Sequence, residues 1–221
     1  MSNYTEEQLR AIEQQLRCPS GDMGVELGQR MNEFNKAMVL HTIEALELQK
    51  GETVLELGHG NGGHLSHLLQ QAAQLVYYGL DISSTMHEQA KMINQHLMQQ
   101  QPLYFQLYNG LELPFEEPFF DKIMTVNTIY FWEDHSQLMQ EIGRVLKPQG
   151  KAIITFAHKS YLENNPTVGK LFALVSKEEV QHWAAGAGLT TVEFVDLHDQ
   201  IENNAQQWVR RDFSLAILAK K

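Results

Sequence analysis

The chain holds one cysteine, Cys18, in 221 residues. That excludes an intramolecular disulfide framework and any cysteine-ligated metal cluster. No apolar run approaches 18 residues, the length at which a segment begins to read as membrane-spanning. Positive charge is also scarce: 17 Lys and Arg stand against 27 Asp and Glu, a net charge of −10. So acidic a surface suits no partner whose affinity comes from neutralising phosphates, and no nucleic-acid partner is expected. Met1–Glu7 lacks the basic-then-apolar order of a secretion signal. The expectation is a soluble, cytoplasmic chain without a membrane segment. Monomer and dimer both stay open, because neither heptads nor a long apolar stripe is visible. At this length folding buries roughly 70% of the unfolded chain's surface, so no covalent or metal staple is needed.

What the chain does have is a short apolar run ending in glycines: Val54-Leu55-Glu56-Leu57-Gly58-His59-Gly60-Asn61-Gly62-Gly63. Such a run reads as a buried parallel strand turning into a helix. Glycines there let the backbone take positive φ and let a ligand approach without meeting a Cβ. A second strand, Leu75–Leu80, ends in Asp81, placed to accept both hydroxyl protons of a ribose. The pattern therefore implies a nucleoside-containing cofactor. Gly58, Gly60 and Gly63 fit the dinucleotide fingerprint, while Glu56, Gly58, Gly60 and Gly62 fit acid-x-G-x-G-x-G. The glycines alone do not choose between them.

Strands are predicted at Thr53–Leu57, Leu75–Leu80, Leu103–Tyr108, Lys122–Val126 and Lys151–Phe156. They alternate with helices near Gly63–Ala73, Thr85–Gln100 (capped by Thr85) and Ser136–Leu146. Strand–helix alternation implies a parallel sheet covered on both faces. Two last strands, Thr191–Val195 and Asp212–Ala219, have no helix between them and should pair antiparallel. The fold class is thus α/β, a Rossmann-like seven-stranded sheet of five parallel strands plus a C-terminal antiparallel hairpin. Residues 1–50 form an N-terminal helical extension. It comprises a capped helix to about Arg17, a Cys18–Gly24 loop, and one helix from about Glu26 to Leu48. It could serve as a lid over a cofactor domain at 51–221.

Further along stand Leu111-Glu112-Leu113-Pro114-Phe115, Phe120-Asp121-Lys122-Ile123 and Arg144-Val145-Leu146-Lys147-Pro148-Gln149-Gly150. With the glycine turn, this series resembles that of class I S-adenosylmethionine (SAM) methyltransferases of the small-molecule type. The resemblance implies SAM as cofactor, S-adenosylhomocysteine as product, and a small-molecule methyl acceptor. It implies that Glu56, Gly58, Gly60 and Gly62 line the methionine and ribose part, with His59 packed against the cofactor. Asp81 would hold the ribose hydroxyls and Ile82 would pack on adenine. Tyr108-Asn109-Gly110 stands where the family often has G-D-A, so Asn109 would offer a carbonyl to the adenine amino group, and Leu111 a backbone amide. Asn127, ending the fourth strand, would meet the cofactor's amino group.

Methyl transfer needs alignment above all, and a base only where the acceptor arrives protonated. No catalytic residue is dictated by the sequence. The candidates are His158, just past the fifth strand, His135, after the fourth strand near the start of a helix, and Tyr130 in the Tyr130-Phe131-Trp132 cluster, which could wall a substrate pocket or simply be core. His64 and His67 lie one turn apart without a carboxylate beside them in sequence, and no metal site is expected. The other readings are a protein or RNA methyltransferase, a non-catalytic SAM-binding regulatory module and a nicotinamide dehydrogenase.

Overall fold

A computed structural model of the chain describes residues 5–116, 118–163, 173–202 and 206–221. Its sheet is built from β1 (Thr53–Leu57), β2 (Val76–Asp81), β3 (Leu103–Leu107), β4 (Phe120–Val126), β5 (Leu146–Ala157), β6 (Leu189–Glu202) and β7 (Trp208–Lys220). The order is β3-β2-β1-β4-β5-β7-β6. The first five strands pair in parallel, and β7 pairs antiparallel with both β5 and β6. The chain runs outward from β1 through β2 to β3, then returns to β4 on the other side of β1. That reversal creates a crevice beyond the carboxyl ends of β1 and β4, where open α/β sheets bind ligands.

The helices are α1 (Glu6–Arg17), α2 (Gly21–Phe34), α3 (Lys36–Leu46), α4 (Leu65–Leu69), α5 (Ser84–Ile93), α6 (Gln95–Met98), α7 (His135–Val145), α8 (Lys159–Glu163) and α9 (Lys177–Gly186). Alternation along the strands feeds two cores. Leu55, Leu57 and Ile154 pack with α7 and α9 on one face; Val54 and Ile153 pack with α3 and α4 on the other. From α3, Met38, Val39, Ile43 and Leu46 are all buried. At about 1.5–3 kcal/mol per buried aliphatic side chain, α3 is held as firmly as any core element. Thr42 adds a buried hydroxyl contact with Thr155 at 2.6 Å. By contrast the one buried residue of α1 is Glu13.

Several local expectations fail for identifiable reasons. The region expected as a Cys18–Gly24 loop already turns helical at Gly21. Gly24 and Gly28 serve close packing there: a Cβ would stand 2.7 Å from the Pro19 backbone and 2.7 Å from Met86 Sδ, respectively. The single helix expected from Glu26 to Leu48 is broken at Asn35, whose side chain is drawn into the site described below. The helix expected from Gly63 to Ala73 shrinks to Leu65–Leu69. Ser83, not Thr85, caps α5, its Oγ accepting from the Met86 amide at 3.1 Å. Thr85 Oγ1 accepts instead from Gly21 N–H. The β6–β7 hairpin is longer than its apolar stretch foretold, because ion pairs such as Arg211–Asp199 across it supplement the hydrophobic alternation.

Candidate functional site

A cavity of about 100 Å³ lies over the carboxyl ends of β1 and β4. Its floor is Glu56, the loop from Gly58 to Asn61, His64 and Asp81; one wall is Val126, Asn127, Thr128 and Phe131. The roof comes from Leu16, Pro19, Gly28, Met31, Asn32, Asn35 and Val39. The N-terminal helices therefore cover part of the crevice.

The three glycines have different reasons to be glycine. Gly58 sits at φ +73°, and a Cβ there would stand 2.4 Å from Thr128 Cγ2. The turn after β4 demands this glycine whether or not a ligand is present. Thr128 is fixed in turn by Thr125 and by Trp132 Nε1, which donates to its hydroxyl at 3.1 Å. Gly60, at φ +56°, faces open space: a Cβ would meet nothing within 4 Å. Its bare backbone is the part a ligand can approach. Gly62 also has positive φ, but it packs against Asn94 and Ala90 and does not line the cavity.

Asp81 is 6% exposed. Its Oδ2 accepts from Gly60 N–H at 3.0 Å and its Oδ1 from Ser83 N–H at 2.8 Å. Burial pushes this carboxyl above the ordinary range, against the opposing pull of His59 and the two amides. Glu56, also buried, accepts from the Tyr77 hydroxyl at 2.5 Å and from His64 Nε2 at 2.8 Å. Desolvation opposes its charge, yet His64 and Tyr77 together hold it below the usual carboxylate range. For His64 burial alone lowers the pKa, and the attraction of Glu56 outweighs it, leaving it raised. The two therefore form a buried ion pair. His59 donates Nδ1–H to Gly60 O at 2.7 Å and lies edge-on to Phe105, while its buried Nε2 has no partner among the described residues.

Asn127 adopts φ +57°, the left-handed conformation that asparagine tolerates better than most residues. Its Oδ1 accepts from the Tyr130 hydroxyl at 2.9 Å and its Nδ2 donates to Asn35 Oδ1 at 2.8 Å. Behind Asn35 stands Arg211, 1% exposed, bonded bidentate to Asp199 and donating to Phe34 O and Asn35 Oδ1. A guanidinium on β7 thus fixes the α2–α3 break against the end of β4.

Of the expected cofactor residues, Glu56, Gly58, His59, Gly60, Asp81 and Asn127 line this cavity; Gly62, Ile82, Asn109, Gly110 and Leu111 do not. Ile82 and Gly110 lie together, the Ile82 Cγ2 being 3.4 Å from where a Gly110 Cβ would be. Asn109 Oδ1 accepts from both the Leu111 and Glu112 amides at 2.9 Å. The carbonyl and the amide expected to read adenine are thus satisfied by each other, leaving the apolar Ile82–Gly110 shelf.

The catalytic candidates scatter. His158 lies at a second cavity of about 310 Å³ beyond β5, with Phe156, Val175 and Lys177. Its Nε2 is 2.7 Å from Ser214 Oγ, which donates to Asp196 at 2.6 Å, so Nε2 is the donor to Ser214. His135 bonds through Nε2 to Ile129 O and stacks on Trp183 at 4.3 Å, away from both cavities; burial lowers its pKa. Tyr130 is buried and orients Asn127, its hydroxyl pKa raised by burial. Of the aromatic cluster, Phe131 walls the first cavity while Tyr130 and Trp132 are core. The Tyr161–Leu174 stretch, a candidate opposite wall, falls largely in residues 164–172, outside the described residues. Asn35, Thr128 and Arg211 were not singled out by their sequence positions, and His64 was weighed only as a metal ligand beside His67. For His64 a signal existed, an acid in the strand and a histidine just past the glycine turn.

The model of the methyltransferase domain family matches residues 55–154. The protein named uncharacterized methyltransferase YdaC of Bacillus subtilis (strain 168) is 30% identical over 130 residues, covering 58% of this chain and 68% of that protein. The demethylmenaquinone methyltransferase of Oceanobacillus iheyensis is 33% identical over 115 residues, 51% of this chain and 47% of its own length. The chain spans 68%, 61% and 63% of the first three curated relatives it matches. Among solved structures, a SAM-dependent methyltransferase from Aquifex aeolicus shares the fold with a TM-score of 0.65 at 20% identity, covering 95% of this chain and 97% of that one.

Proposed function

The chain belongs to the SAM-dependent methyltransferase family, and on that footing we propose that it transfers the methyl group of SAM to a small-molecule acceptor. The observation that carries the reading is Asp81, a buried carboxylate at the end of β2 that faces the cavity beside the bare Gly60 backbone. A pair of ribose hydroxyls is what such an acceptor suits. SAM supplies, when bound, a methyl group activated on a sulfonium.

The chain's own contribution is to bind, orient and exclude water. Asp81 receives the ribose hydroxyls, and Gly60 lets the ligand lie against the main chain. Asn127, held by Tyr130 and Asn35, sets the far side. Glu56 takes both of its bonds on Oε2, which leaves Oε1 for the ligand's ammonium group. The Ile82–Gly110 shelf supports adenine by contact. His158, at the second cavity beyond β5, is the candidate base.

The cavity is smaller than the 300–1,000 Å³ usual for ligand sites. Admission of SAM therefore requires the roof to lift, and the hinge falls at Asn35. Below it α3 is core; above it α1 and α2 meet the cofactor domain through polar contacts such as Arg17 to Glu133, Gly21 to Thr85, Ser83 to Pro19 O and Asn61 to Gly28 O, and through Gly28 against Met86. In our reading the lid is α1–α2, shorter than the whole of residues 1–50. An acidic chain and relatives named for a menaquinone precursor and a fatty acid both favour a small acceptor. The test is methyl-labelled SAM incubated with the protein and a cell extract separated by size. Label in the low-molecular-mass fraction is the expected result; label confined to RNA or protein would overturn the acceptor class.

A further inference from the structure

We propose that His64 is a cofactor-specificity residue: its imidazolium holds the carboxylate of the amino-acid end of SAM. The inference rests on the reading that SAM occupies the cavity over β1 and β4. That end of SAM is a zwitterion, and its carboxylate needs a cationic or strongly donating partner once water is excluded. Among the described residues that line the cavity, none is Lys or Arg; the titratable ones are Glu56, Asp81, His59 and His64. Two are acids and repel a carboxylate. His59 spends its Nδ1–H on Gly60 O.

His64 has the right arrangement. Its Nε2 is fixed at 2.8 Å from Glu56, and its side chain is 10% exposed where it lines the cavity. No hydrogen bond is found for Nδ1 among the described residues, and in the protonated ring it is the donor left for a ligand. The Glu56 charge favours the protonated ring, against its burial. From β1 the group facing His64 is Glu56, from β2 Tyr77 through the same carboxylate, from the glycine loop and its neighbour His59 and Asp81. From the roof come the neutral amides of Asn32 and Asn35. A Glu–His ion pair thus meets the ligand's ammonium and carboxylate, opposite charge to opposite charge.

The test is calorimetric titration of SAM and decarboxylated SAM, which keeps the sulfonium, ammonium and adenosine, into the wild type and His64→Gln. Gln can keep the bond to Glu56 but carries no charge. Loss of one charge-assisted hydrogen bond should weaken SAM by about tenfold or more, while decarboxylated SAM changes by less than about twofold. Equal losses for both ligands, or no loss for either, overturn the proposal. Should the variant not fold, the wild type decides by NMR of the His64 ring. SAM must keep it protonated to higher pH than decarboxylated SAM does, and identical titrations overturn the proposal. Wild type that binds neither ligand withdraws the cofactor reading itself, a result distinct from binding that ignores the carboxylate.

Discussion

At the scale of single residues, the site is a set of buried charges with different burdens. Asp81 is buried with its charge only partly answered, and its pKa is raised. Ribose hydroxyls bond the ionised form, so SAM affinity should fall as pH drops through that raised value, above the ordinary carboxylate range. Asp81→Ala should cost about 1–3 kcal/mol of SAM binding, read by calorimetry at neutral pH. Unchanged affinity would remove Asp81 from the ribose site. Gly58→Val should be worse, because Thr128 already fills the space and φ is +73°. Loss of SAM binding together with a lowered Tm is the expected outcome, and a normally stable variant would contradict the packing account. Gly58 and Gly60 were expected alike, as glycines of the turn that a ligand approaches, and the structure separates them: a Cβ at Gly60 meets no described atom within 4 Å. The reason for Gly58 lies in Thr128, 70 positions away in the chain.

Elements show how far periodicity reaches. All seven strands were readable, because alternation and apolar runs report burial in a sheet directly. The break at Asn35 was not, since its cause is two partners remote in sequence, Asn127 and Arg211. Nor was the start of α2, where packing glycines imitate loop punctuation. The α1–α2 segment is expected to move on SAM binding and α3 to stay. In hydrogen exchange, amides of residues 6–34 should slow with SAM while those of 36–46 remain unchanged. Uniform protection of all three helices would end the hinge at Asn35. Arg211 ties that hinge to β7. Arg211→Met should destabilise the protein by about 3–5 kcal/mol, because Asp199 is left without its buried counter-charge. Urea unfolding measures this, and a loss under about 1 kcal/mol would mean that the guanidinium does not organise the junction.

Across the whole molecule, strand order and charge converge on one account. The sheet reverses direction between β1 and β4, and the cavity lies over that reversal with Asp81, Glu56 and the glycine loop on its floor. Strand–helix alternation made the five parallel strands and the closing hairpin readable in the sequence, but not the strand order. The N-terminal extension was expected as a possible lid; which of its helices cover the site was not readable, because that depends on how helices outside the sheet dock. Net charge of −10 opposes a phosphate-rich partner, so binding to RNA should be weak even at low salt. The central claim is that this crevice is a SAM site, and calorimetric titration with SAM, with NAD and NADP as controls, tests it most directly. The account predicts saturable SAM binding and no nicotinamide binding; a protein that takes a nicotinamide cofactor, or leaves SAM unbound, would contradict it.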